Sequence, residues 1–203
     1  MKISEIPHSK FLITSYSDVK LNFWAIPKCA NTSVKTSLLG KKNKNPYKEQ
    51  KWVHKPWNNP YITAAEALSN NYENFTVTRH PYERFKSLYK HFGLKEPFVE
   101  LNVNPNTISF DDFLNFVINN FKDDLTCNYH ARSQVSFISY DNKELLLDNC
   151  IDVNNLESFL IKKSKKLIKA NKSKEQEIEL SEEQKVKIYN RYREDFIILG
   201  YRR

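Results

Sequence analysis

The sequence predicts an α/β fold: one domain over residues 1–203, with a mainly parallel sheet flanked by helices. Three observations lead there. Phe23-Trp24-Ala25-Ile26 is an apolar strand run that passes through a short loop into a helical stretch. Phe75-Thr76-Val77-Thr78 is a second, β-branched run that also turns directly into a helix. The chain has 203 residues, 40% hydrophobic and 13% aromatic, enough to enclose a sizeable core.

The elements follow in order. Residues 11–14 and 21–26 read as two strands around a Ser17-Asp18 turn. Asn31 reads as the N-cap of a helix through Leu39, which Gly40 ends. Residues 41–60 are polar, carry Pro46, Pro56 and Pro60, and read as a loop holding Trp52, His54 and Trp57. Thr63 with Glu66 is a capping box for a short helix. Pro81 suits the first position of the helix after Thr78, with His80 as its cap. On that helix Phe85, Leu88 and Phe92 form the core side, while Arg84, Ser87 and His91 share another. Ser109 with Asp112 is a second capping box, opening a helix through Phe121. Residues 135–138 and 150–153 read as short strands, and 156–168 as a helix with a basic outer face. Ser181 with Gln184 caps the last helix, through about Tyr192.

Charge and cysteine usage narrow the class. The net charge of +8 and a pI of about 9.2 fit an anionic ligand or, equally, solvated surface lysine; neither reading requires nucleic acid. Seven lysines between Lys162 and Lys174 form either a polyanion patch or a helix end offset by Glu175, Glu177 and Glu179. Cys29, Cys127 and Cys150 are odd in number, widely spaced and form no CxxC, which argues against a disulfide framework, a zinc cluster or a redox pair and fits a reducing compartment. Residues 1–10 lack a signal-peptide core, and no stretch is long enough for a membrane span. A soluble, cytoplasmic protein is expected, the alternative being a chain trimmed of an anchor.

The chemistry concentrates in Pro27-Lys28-Cys29-Ala30-Asn31-Thr32-Ser33. A loop between a strand and a helix N-terminus is an anion site, because the first helical N–H groups lack partners and the helix dipole favours negative charge. Lys28 adds a full charge, and Thr32 and Ser33 add rotatable donors. The phosphate loop of nucleotide triphosphatases uses similar parts, but its glycines are missing between Phe23 and Leu39, so the Walker pattern is not matched.

Pro27-Lys28-x-x-x-Thr32-Ser33 resembles the 5′-phosphosulfate loop of sulfotransferases that use 3′-phosphoadenosine 5′-phosphosulfate (PAPS). Residues 75–89, with Arg79, Pro81, Arg84 and Ser87, resemble their 3′-phosphate motif in composition, order and separation. His130-Ala131-Arg132-Ser133-Gln134 is similar to an His-x-x-x-Gln element of the carbohydrate (Golgi-type) branch. Tyr192, Asp195, Phe196, Gly200 and Tyr201 are similar to that branch's C-terminal signature.

The resemblance implies a P-loop-like sulfotransferase fold and metal-independent sulfuryl transfer from PAPS to a small-molecule or glycan hydroxyl. Lys28 is then catalytic. Lys28, Cys29, Ala30, Asn31, Thr32 and Ser33 hold the 5′-phosphosulfate, and Arg79 and Ser87 hold the 3′-phosphate. Arg84 is read as a structural partner of Glu83 or Asp195. His54 is the candidate base, and His130 is its rival, with acceptor contact or a hydrogen bond to Gln134 as its other roles. Trp57 is an acceptor-stacking candidate, as is Trp52, with loop packing as the other reading. The alternative function is a non-catalytic basic module that binds nucleotides or polyanions on the same fold. A kinase would need a glycine-rich loop and metal carboxylates, which the sequence does not offer.

Overall fold

The structure is a computed structural model that describes residues 12–40, 61–92, 108–122, 124, 127–140, 144–147, 149–169 and 177–203. The chain divides into two compact units: Met1–Thr78 with Phe137–Tyr140 and Glu144–Lys172, and Arg79–Ser136 with Asp141–Lys143 and Ser173–Arg203.

The first unit carries a five-stranded sheet of β1 (Ile13–Tyr16), β2 (Leu21–Trp24), β3 (Tyr61–Ile62), β4 (Glu73–Thr78) and β5 (Asn149–Asp152), in the order β3-β1-β2-β4-β5. β2, β4 and β5 pair in parallel, while β1 is antiparallel to both β2 and β3. Four of the five strands therefore point the same way, and the mainly parallel α/β sheet expected from the sequence is present. The helices here are α1 (Asn31–Leu39), α2 (Ala64–Ser69) and α5 (Leu156–Lys162). Their apolar sides meet the sheet through Val34, Leu38, Leu156 and Leu160, around Phe23 and Phe75 stacked at 5.1 Å. Two polar pairs sit inside this layer: the Trp24 indole N–H donates to Asn74 Oδ1 (2.8 Å), and the Asn22 amide donates to Asn70 Oδ1 (2.8 Å).

The second unit is helical and built on aromatic packing. It contains α3 (Pro81–Phe92), α4 (Phe110–Asn120), α6 (Glu182–Arg191) and α7 (Arg193–Ile198). Phe85, Leu88 and Phe92 are buried together with Phe113, Val117, Ile188, Tyr192 and Phe196, as the spacing on α3 predicts. Phe85 meets Phe110 edge-on at 5.6 Å, and Tyr89 meets the same ring at 5.1 Å.

Local signals hold where they are complete. Thr63 and Glu66 form a reciprocal capping box (3.0 and 2.7 Å), as do Ser181 and Gln184 (3.2 and 3.0 Å). Gly40, at φ 64°, closes α1 by donating to the Thr36 and Ser37 carbonyls. Ser109 caps α4, but its box is one-sided: the short Asp112 carboxylate takes the Ser109 hydroxyl (2.6 Å) instead of reaching back to the backbone.

Two elements differ from expectation. Val135–Phe137 is a 3₁₀ turn and not a strand. The successive N–H groups of Gln134 and Val135 both donate to one carboxylate, Asp195, whereas strand N–H groups alternate sides. The helix expected over 156–168 stops at Lys162, because Ser164 turns left-handed (φ 58°) and the N–H groups of Ser164 and Lys165 close on Ile161 and Leu160. Lys165 then reaches the Asp18 carboxylate (2.8 Å) and the Leu38 carbonyl at the end of α1 (3.0 Å), and Ile168 N–H donates to Ser37 Oγ (2.8 Å). Lys163 pairs with Glu73. Lys163 and Lys165 are thus tied to their own unit.

Candidate functional site

The loop after β2 adopts the conformation that anion sites use. Lys28 (φ 69°) and Ala30 (φ 59°) are both left-handed, although neither is glycine. Such residues cost about 1–3 kcal/mol each and cluster at ligand-binding turns. Alternation into left-handed backbone turns successive N–H groups toward one concavity, which offsets the missing glycines of a phosphate loop. Cys29 N–H closes the turn on the Ile26 carbonyl (3.2 Å), and the Cys29 thiol is fully buried, so it fills space between the two left-handed residues. The N-cap of α1 is Ala30, not Asn31 as expected, and it offers no side-chain cap. Asn31 is the first helical residue, and its buried Oδ1 has no hydrogen-bond partner among the described residues. Lys28, Thr32 and Asn31 are half-buried, and Ser33 is buried in the first turn.

Lys35 escaped the sequence reading. It lies in α1, only 2% exposed, with Nζ 3.5 Å from Tyr61 Oη and 4.9 Å from that ring's centroid. Burial pushes its amine down to about 8. A lysine between Val34 and Leu38 gives no sign in sequence that its side chain is enclosed.

Arg79 stands one residue beyond β4, whose ladder ends at Thr78 opposite Asp152. Its backbone is held by a side chain: Arg79 N–H donates to Gln134 Oε1 (2.9 Å), and Gln134 Nε2 donates to the Arg79 carbonyl (2.8 Å). Among the described residues its guanidinium enters no hydrogen bond or ion pair; it only lowers the Glu83 carboxyl from a distance. Glu83 itself pairs with Lys86 at 2.8 Å, and Lys86 with the more distant Arg79 and His80 outweighs the burial that would raise it. Ser87 is half-buried on α3, two turns in.

His80 caps the start of α3: its Nδ1 accepts from Tyr82 N–H (3.4 Å), which assigns the proton to Nε2, facing the Arg202 carbonyl at 3.0 Å. Rings of Phe196 (5.6 Å) and Tyr201 (5.3 Å) flank the imidazole. Arg84 is buried, donates to the His130 carbonyl (3.2 Å), and stabilises the charge on Asp195, in keeping with the structural role read for it.

The His130–Gln134 element and the C-terminal signature prove to be one assembly. Tyr192 Oη donates to the Ala131 carbonyl (2.9 Å), and Asp195 accepts the N–H groups of Gln134 and Val135 (2.9 Å each). Asp195 is fully buried; burial pushes its carboxyl up to about 6, against the pull of Arg84 and the two N–H bonds. His130 Nδ1 contacts Asn128 Oδ1 (3.2 Å), and its ring lies 4.9 Å from Phe92 and 3.9 Å from Tyr129. The Gln134 amide meets both backbone groups of Arg79. His54, Trp52 and Trp57 lie outside the described residues.

No group of three or more His, Cys, Asp or Glu among the described residues is arranged to hold a metal ion. No helix among the described residues is long and apolar enough to cross a membrane.

A left-handed lysine loop leading from a parallel strand into a helix places the first unit among α/β folds whose strand-to-helix turns can receive an anion. The family comparison says which: residues 12–202 match the sulfotransferase family model, and the chain belongs to the sulfotransferase family. The comparisons with curated proteins and with solved structures returned no match.

Proposed function

We propose that this protein is one sulfotransferase domain over residues 1–203 that moves the sulfuryl group of PAPS to an acceptor hydroxyl on a carbohydrate. The observation that carries this reading is the left-handed Lys28–Ala30 loop opening α1 in a chain of the sulfotransferase family.

Sulfuryl transfer is an in-line displacement at sulfur: the acceptor oxygen forms an S–O bond as the S–O bond to the 5′-phosphate breaks. By analogy with phosphoryl transfer, the protein's task is positioning and stabilisation of charge on the leaving oxygen. The N–H groups of Ala30 to Ser33, with the Thr32 and Ser33 hydroxyls, hold the 5′-phosphosulfate, while Cys29 N–H closes the turn on Ile26 beside it. The Lys28 ammonium meets the charge that grows on the departing phosphate oxygen. Arg79 and Ser87 hold the 3′-phosphate, the guanidinium by a two-point fork. The acceptor proton goes to His54, with His130 and Trp57 on the acceptor. A soluble, cytoplasmic setting and independence of metals complete the proposal.

Calorimetric titration tests the nucleotide assignment. 3′,5′-Bisphosphoadenosine should bind about ten-fold or more tighter than AMP, the worth of a charged two-point contact. Equal affinity for the two would remove Arg79 and Ser87 from the site.

A further inference from the structure

We propose that Gln134 is a positioning residue for Arg79 and that Asp195 sets Gln134 in place. The proposal rests on the reading that Arg79 binds the 3′-phosphate.

Arg79 has left the sheet, so no neighbouring strand fixes its peptide. The Gln134 carboxamide substitutes for that strand. It accepts from Arg79 N–H at 2.9 Å and donates to the Arg79 carbonyl at 2.8 Å, the two contacts a strand partner makes. Holding both backbone groups of one residue fixes its φ and ψ, and so the direction in which its Cα–Cβ bond leaves the chain. The guanidinium at the end of that bond is uncommitted among the described residues.

Gln134 is itself fully buried, and its own N–H donates to Asp195 Oδ2 while that of Val135 donates to Oδ1. Neighbouring carbonyls are held too, Ala131 by Tyr192 Oη and His130 by Arg84. The glutamine backbone therefore has little freedom, and its side chain reaches Arg79 from a fixed base. A fork that reads a phosphate needs this: the geometry of a two-point contact is lost with small rotations of the arginine stem. A glutamine kept only for packing would not need both ends of its amide on one backbone residue.

The test uses the whole chain and two nucleotides, 3′,5′-bisphosphoadenosine and AMP. Gln134→Met keeps the volume and removes both contacts. Its affinity for the bisphosphate should fall about ten-fold while AMP affinity stays within about two-fold, so the preference for the 3′-phosphate collapses. In the Arg79→Ala background the same substitution should no longer change the preference, because the group being positioned is gone. Equal weakening of both nucleotides, or an unchanged preference in a folded variant, overturns the proposal, as does a further loss of preference in the Arg79→Ala background. Should Gln134→Met fail to fold, Gln134→Glu retains the acceptor for Arg79 N–H but sets a carboxylate oxygen against the Arg79 carbonyl where the donor stood. It should also lower the preference, and an unchanged preference overturns the proposal equally. A wild type with no preference fails differently: it removes the 3′-phosphate reading itself, before any variant is made.

Discussion

Lys28→Ala should lower turnover by about 10²–10³-fold while the dissociation constant for 3′,5′-bisphosphoadenosine changes little. The reason lies in when the charge is needed. On the proposed reading the bound donor would have the helix N-terminus and the donors of residues 30–33 around its phosphosulfate, so one lysine would add modestly to ground-state binding. As the bond to sulfur breaks, negative charge builds on the bridging phosphate oxygen, and a preorganised cation there counts most; removing one such donor typically costs that factor. The left-handed backbone of Lys28 supports this role, since the loop bears strain to present that residue. Steady-state kinetics beside a bisphosphate titration decide it. A variant with wild-type kcat and a raised KM would make Lys28 a binding residue only. In the same assay His54→Ala should keep bisphosphate affinity and lose most turnover; if His130→Ala does so instead, the base is His130.

Asp195→Ala should destabilise the fold by roughly 3 kcal/mol or more. The carboxylate is fully buried and accepts two backbone N–H groups while offsetting the buried Arg84. Its removal strands both donors, at about 1–3 kcal/mol each, and leaves a buried cation poorly compensated. Denaturant unfolding measures the loss; a change under 1 kcal/mol would mean that these contacts carry little. The ionisation leaves its own trace. Because the folded-state carboxyl is pushed up to about 6, the native state holds a proton that the unfolded chain, at about 4, has released. Between about pH 4 and 6 the native state therefore binds more protons, and stability falls as pH rises. The stability of wild type minus that of Asp195→Asn should decline across this window and level off above it. A difference that rises with pH there would show the native carboxyl to be more acidic than the unfolded one.

Much of this was legible because its causes are local. Thr63 with Glu66, Ser181 with Gln184, and Gly40 after Leu39 announce helix ends through bonds three or four residues long. The Lys28 and Arg79 motifs were legible as residue types in order, and Phe85, Leu88 and Phe92 as one helix face. What escaped depends on distant partners. The turn at Val135–Phe137 is imposed by Asp195, sixty residues away, and no local pattern distinguishes it from a β-branched strand. The helix after Leu156 ends early at a left-handed Ser164, and the chain beyond it is tied to Asp18 and Ser37, more than a hundred residues away. Asn31 read as a cap because its type favours that place, yet the backbone turns one residue earlier, at Ala30. The resemblance implied that residues 130–134 and 192–201 belong to one family pattern; their hydrogen bonds show that the second group holds the first.

The most direct measurement is transfer itself. Purified protein is incubated with PAPS and a panel of sugar acceptors, and both products are followed by mass spectrometry. The account predicts release of 3′,5′-bisphosphoadenosine matched mole for mole by a sulfated sugar, with both lost in Lys28→Ala. Tight binding of the bisphosphate with neither product formed across the panel would contradict it, leaving a nucleotide-binding module on a sulfotransferase fold.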